Sequence, residues 1–270
     1  MTRVLSGAVL IVIVVATVWA APPWLFFVVA EAVLVLAFVE YARLAAAYGL
    51  PVPIVASGTA TVLASIGITS LDWLSDQPGR TAVALDALLM SASVVLGALA
   101  LVNSRGGRDA LGRAAAAAFP LLYLGLPIGA LAQIRFVRGP AVLFLLMLTV
   151  IVSDTAQYYA GRAFGRRLLA PDISPHKTWE GAIGGFVFGA LTMIVIGRFW
   201  LAEADVWLRA ALGLTVVALG IVGDLFESML KRGAGVKDSS ALIPGHGGIL
   251  DRIDALLFAA PIYYVVLKWV

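Results

Sequence analysis

The chain has 270 residues, 61% of them hydrophobic and 13% charged, with a mean hydropathy of +0.99. Soluble domains carry about 25% charged residues, so this composition excludes an ordinary water-soluble fold and points to an integral membrane protein. Cysteine is absent, which removes disulfides, thiolate metal sites and thiol nucleophiles; the formal charge of +3 calls for no nucleic-acid partner, because loop lysines and arginines serve membrane topology.

The N-terminal MTRVLSGAVLIVIVVATVWAAPPW has the basic start and small residues of a signal peptide. Its apolar run is nevertheless as long as a span and a second follows at once, so it reads as a retained helix. Apolar runs between charge and Pro/Gly punctuation then give about nine transmembrane helices, near 4–20, 23–45, 52–71, 81–103, 114–134, 140–160, 179–200, 206–230 and 250–268. The expected fold is all-α and polytopic. With the N-terminus in the cytoplasm, 13 of the 19 Lys and Arg residues fall on the inner side and 6 on the outer, as the positive-inside rule requires. That places the chain in the inner (cytoplasmic) membrane with its C-terminus outward. No internal repeat is visible. Residues 1–139 read as scaffold helices and 140–270 as a catalytic half of one continuous membrane domain.

Polar residues concentrate in two stretches that this topology puts on the cytoplasmic side. In GDLFESMLK, Asp224, Glu227, Ser228 and Lys231 share one helix face. Asp251 and Asp254 repeat the three-residue spacing at the start of the ninth span. Converging carboxylates without Cys or paired His suit a hard cation such as Mg²⁺, so Asp224 and Asp251 are the candidate metal ligands. Around them stand Lys231, Arg232, Lys237 and His246 with five glycines, a combination suited to a polyphosphate, although no Walker A loop occurs. Ion pairing of these acids with Lys231, Arg232 and Arg252, or a basic loop attracted to anionic headgroups, are the plainer readings. The earlier stretch supplies Ser153 and the intramembrane acid Asp154, then Lys177 and Glu180 in HKTWEG. Tyr158, Tyr159 and Trp179 read as interfacial aromatics, and His176 as a surface residue. Glu31, near the middle of the second span, is expected to face the bundle interior; Glu40 and Asp86 lie nearer span ends.

SMLKRGAGVKDSSALIPGHGGILDRID, residues 228–254, resembles the signature of the phosphatidate cytidylyltransferases, or CDP-diacylglycerol synthases. Its fixed positions are met by Ser228, Lys231, Arg232, Lys237, Asp238, His246, Gly247, Gly248, Asp251, Arg252 and Asp254. SPHKTWEG and SDTAQYY are similar to two further segments of that family. The resemblance implies transfer of the cytidylyl group of CTP to phosphatidate, giving CDP-diacylglycerol and pyrophosphate in phospholipid biosynthesis. It also implies Mg²⁺, with K⁺ as a second ion in related proteins, and a homodimer. Asp224, Lys231, Arg232, Lys237, Asp238, His246, Asp251, Arg252 and Asp254 are then the candidate catalytic residues. Ser153, Asp154, Lys177, Glu180, Ser228, Gly247 and Gly248 are the candidates for binding substrate. A CTP-dependent kinase of a lipid alcohol and a secondary transporter are the competing readings.

Overall fold

The computed structural model describes residues 2–70, 87, 89–99, 109–243, 245 and 247–270. Asp86, His246 and about half of the stretch expected as the fourth span lie outside the described residues. The helices are α1 (Thr2–Trp19), α2 (Pro23–Ala47), α3 (Ile54–Ser70), α4 (Leu89–Leu99), α5 (Ala110–Pro120), α6 (Leu126–Val137), α7 (Gly139–Phe164), α8 (Trp179–Trp200), α9 (Val206–Gly233) and α10 (Leu250–Leu267). Among the described residues, five stretches are long and apolar enough to cross a membrane: α2, α5 through α6, α7, α8 and α9. α10 carries Asp251, Arg252 and Asp254 within its 18 residues, more charge than a plain span holds.

Helix boundaries follow local chemistry. Pro22 and Pro23 break α1 from α2, with Pro23 at the first helical position, where its missing N–H costs nothing. The carbonyls left at the end of α1 are taken up by Arg135 of α6, whose Nε and Nη2 donate to Val18 O at 2.8 Å and Ala21 O at 3.0 Å. Pro120 cannot donate within its helix. Immediately after it, Leu121–Gly125 widens into one turn of π-helix that joins α5 to α6. Asp205 caps α9 by accepting from Leu208 N at 2.8 Å.

Among the described residues, a pair of strands interrupts the helical chain between α7 and α8. There β1 (Leu168–Ala170) and β2 (Ser174–Thr178) pair as a short antiparallel hairpin, turned through Pro171–Ile173. Periodicity could not reveal it, because strands of three and five residues are too short to show alternation. Thr178 ends β2 and caps α8, its hydroxyl accepting from Gly181 N at 3.1 Å. Glu180 secures the other side by accepting from Arg166 N at 3.0 Å and Arg167 N at 3.3 Å.

Two large buried clusters fill most of the bundle, with a smaller third of Ala182, Val217 and Ile221 where α8 meets α9. The first gathers Leu143, Leu145, Leu146, Met193, Val216 and Tyr263 from α7 to α10; the second gathers Leu34, Phe38, Tyr41, Tyr123, Leu124 and Leu257 from α2 to α6 and α10. α10 belongs to both. Lipid offers helices little hydrophobic drive to associate, so small residues at close crossings matter. On α8, Gly181, Gly184, Gly185 and Gly189 lie against α7; a Cβ on Gly184 would stand 2.5 Å from Ala160 Cβ. Likewise Gly223 of α9 lies against the α10 backbone, where a Cβ would meet Asp254 O at 2.5 Å, so α9 and α10 touch beside Asp224 and Asp254.

Gly184→Val is expected to push α7 and α8 apart at a cost of about 1–3 kcal/mol. The measurement is the midpoint of thermal unfolding in detergent, which should fall by several degrees.

Candidate active site

The polar residues collect at one end of the bundle, where α2, α7 and α9 finish and α8 and α10 begin. Two charge centres form there, both anchored on α9.

At the first, the hairpin delivers Lys177 to α9, placing Nζ 2.6 Å from Asp224 Oδ2. Ser228 Oγ lies 3.4 Å from the other Asp224 oxygen. Asp154 of α7 and Asp254 of α10 are within electrostatic reach of Asp224 and of each other. Gln157 Nε2 donates to Asp154 at 3.0 Å, and Ala255 N to Asp254 at 2.8 Å. Three carboxylates therefore cluster beside Lys177, with Lys231 also acting on Asp254 from the second centre. Ser153, one residue before Asp154, is buried and accepts from Gln157 Nε2 at 3.2 Å, turned toward α8 at Gly185.

The second centre is built on Lys231, which pairs with both Glu227 and Asp251. Glu227 is wholly buried and Lys231 nearly so. The other Asp251 oxygen, Oδ2, lies 3.0 Å from Ser239 N, 2.8 Å from Ser239 Oγ and 2.7 Å from Gly248 N. A third acid completes this centre from a distance of some 200 residues in sequence. Glu40 of α2 takes Ser239 Oγ at 2.8 Å and Leu250 N at 2.8 Å on Oε2, and Ser240 Oγ at 2.6 Å and Ile249 N at 3.0 Å on Oε1. Gly248 sits between these carboxylates, where a Cβ would come within 2.5 Å of Glu40 Oε1. Gly245 and Gly247 have φ of +77° and +78°, which a side chain would strain.

The candidate site residues thus divide. Lys177, Asp224, Ser228, Asp154 and Asp254 are brought together, as are Lys231, Asp251, Gly247 and Gly248. Arg232, Lys237, Asp238 and Arg252 are exposed at the rim of the same end, and only Arg232 makes a side-chain hydrogen bond among the described residues, to Val236 O at 3.2 Å. Glu180 has its carboxylate engaged in holding the hairpin. Glu31 accepts from Ser65 Oγ at 2.6 Å, the partner that sequence did not name. Glu40, Ser239 and Tyr48 went unnoticed as site residues; an acid ending an apolar span was the one signal for Glu40.

The donor set suits a hard cation at Asp224, where carboxylates outnumber their counter-charge and one oxygen has only a long contact from Ser228. Asp251 does not fit as arranged, since both its oxygens are taken by protein donors. Among the described residues no three His, Asp or Glu side chains stand close enough to enclose a metal ion.

The sequence model of the cytidylyltransferase family matches residues 1–270. The chain belongs to the cytidylyltransferase family. Relatives named phosphatidate cytidylyltransferase include proteins of Haemophilus influenzae, 45% identical over 128 residues, and Pseudomonas aeruginosa, 46% identical over 122. Those matches each cover 45% of this chain, and they span 44% and 45% of the relatives' own length, less than half. A Staphylococcus haemolyticus relative of the same name is 32% identical over 218 residues, 81% of this chain and 80% of that one.

At the second charge centre, Lys231→Met is expected to strand Glu227 and Asp251 as unpaired buried charges, costing about 3–5 kcal/mol. Thermal unfolding in detergent should register that loss, and Lys231→Met combined with Glu227→Gln should recover part of it.

Proposed function

We propose that this protein transfers the cytidylyl group of CTP to phosphatidate, releasing pyrophosphate and forming CDP-diacylglycerol, as the names of its relatives suggest. The observation that carries this reading is the pairing of a carboxylate cluster at Asp224 with a glycine loop rimmed by Arg232, Lys237 and Arg252. Phosphoryl-group chemistry needs positioning and charge neutralisation more than covalent catalysis. A phosphate oxygen of phosphatidate attacks the α-phosphorus of CTP, and the bond to the bridging oxygen of the leaving pyrophosphate breaks. That nucleophile is already an anion at neutral pH, so no general base is required, in keeping with a site that has lysines, arginines and carboxylates but no Ser/His or Cys/His pair among its candidates.

In this reading Lys231 holds the loop in shape, and Lys237, Arg232, Arg252 and His246 meet phosphates. Lys177 stands at the carboxylates, and opening of its single ion pair with Asp224 would let it meet a substrate phosphate. Mg²⁺, with K⁺ as a second ion, would be held at Asp224, completed by substrate phosphates rather than by a third acid, and would neutralise phosphate charge there. Asp251 would join only by releasing Lys231. Residues 140–270 supply the chemistry and 1–139 the scaffold, to which Glu40 is an exception. Nine spans with a cytoplasmic N-terminus in the inner membrane would put the site where CTP is available, and a homodimer is the assembly proposed.

Purified protein given CTP, phosphatidate and Mg²⁺ is expected to release pyrophosphate only when both substrates are present. Release of CDP with a lipid alcohol would overturn the reading in favour of a kinase. Lys237→Ala should cost about 10- to 100-fold in kcat/KM, since a charge-assisted phosphate contact is worth about 1.5–3 kcal/mol. For orientation, the cysteine-free chain allows Leu242→Cys, an exposed loop position. An impermeant thiol reagent should reach it from the cytoplasmic side alone, and labelling from the outer face would invert the proposed topology.

A further inference from the structure

Glu40 is 3% exposed, and among the described residues no Lys or Arg pairs with it. A buried carboxylate without a cation is tolerated only if its oxygens are fully hydrogen-bonded. Here each oxygen takes one serine hydroxyl and one backbone amide, and the four donors come from the two ends of a single loop. Ser239 and Ser240 open that loop; Ile249 and Leu250 close it and start α10. A carboxylate on the first amides of a helix is also well placed for the helix dipole.

The same helix holds the preceding segment. Tyr48, at the end of α2, donates to Leu230 O at 2.9 Å and packs its ring against Gly233, so the last turn of α9 is fixed from α2 as well. Ser239 links Glu40 to the site itself: its hydroxyl lies 2.8 Å from both Glu40 and Asp251, and its amide donates to Asp251. One hydroxyl proton serves one acceptor at a time, so the two acids share this serine.

We propose that Glu40 is the positioning residue for this site. From a scaffold helix it draws the two ends of the 239–250 loop together, and through Ser239 and the start of α10 it sets where Asp251 and Asp254 stand. The proposal rests on the cytidylyl-transfer reading for its consequence on turnover, while the clamp itself can be read without any assay of activity.

Glu40→Gln is the direct test. It keeps the shape but sets an amide NH₂ against one of the two backbone N–H donors, which cannot rotate away as a hydroxyl can. The clamp is read with Ile249→Cys as the reporter, because Glu40 binds the backbone amide of that residue and not its partly buried side chain. Adding Glu40→Gln should raise the labelling rate of that cysteine by a soluble maleimide about tenfold or more. With Ile249 native, Glu40→Gln should lower kcat/KM for CTP by at least about tenfold in protein that remains monodisperse, and Glu40→Asp, which restores the charge, should recover part of it. A purely structural role would reduce the yield of folded protein but leave the kinetics of the folded fraction at the native values. Native kinetics or unchanged labelling in folded Glu40→Gln overturns the proposal. If Glu40→Gln does not fold, Ser240→Ala removes one of the four contacts and should still speed labelling by a few-fold, with no change counting against the clamp. Absence of pyrophosphate release by the native protein, with labelling accelerated as expected, would refute the functional reading and leave the clamp standing.

Discussion

The arrangement depends on one buried ammonium. Lys231 lies between Glu227, wholly inside the bundle, and Asp251, at the start of another helix. Without Lys231, two carboxylates would stand side by side in a region that solvates charge poorly. With it, α9 and α10 are tied at a fixed depth, and Asp251 can use its second oxygen to gather Ser239 and Gly248. The neighbouring centre depends on this tie, because Asp224 and Asp254 approach each other only while α9 and α10 touch at Gly223.

The two centres use lysine in opposite ways. Lys231 is enclosed by acids and backbone and has no room to serve a substrate as arranged. Lys177 comes from a short hairpin and holds Asp224 through a single contact, its ammonium nitrogen buried at that pair. A substrate anion entering this end of the bundle would compete with one carboxylate for Lys177, but with two for Lys231. By this count Lys177 is the less committed of the two lysines.

Much of this was legible in the sequence, for physical reasons that can be named. Helices of twenty or so apolar residues announce themselves by composition, and the spacing of Asp224, Ser228 and Lys231 follows from helical periodicity. The pairing of Asp251 with Lys231 was foreseen as the plain alternative to metal binding. The hairpin was not, because its strands are too short to carry a pattern. Glu40 was the larger omission. Its partners are mostly backbone amides and serine hydroxyls some 200 positions away, and a backbone amide has no letter in a sequence. The bond of Glu31 to Ser65 escaped for a related reason, since a serine inside an apolar span satisfies itself as readily on its own helix as on another.

α10 contributes to both hydrophobic clusters, Leu250 and Leu257 to one and Ala255, Ala259 and Tyr263 to the other. A helix gripped on two sides can neither roll nor slide without opening a void in one core or crowding the other. Its first two turns carry Asp251 and Asp254, so the depth and bearing of those acids are set by apolar packing further along the helix. Substitutions deep in the bundle, far from any polar group, should therefore act on the chemistry by re-aiming a helix end, and the tolerance of the site to mutation should be read along the whole length of α10.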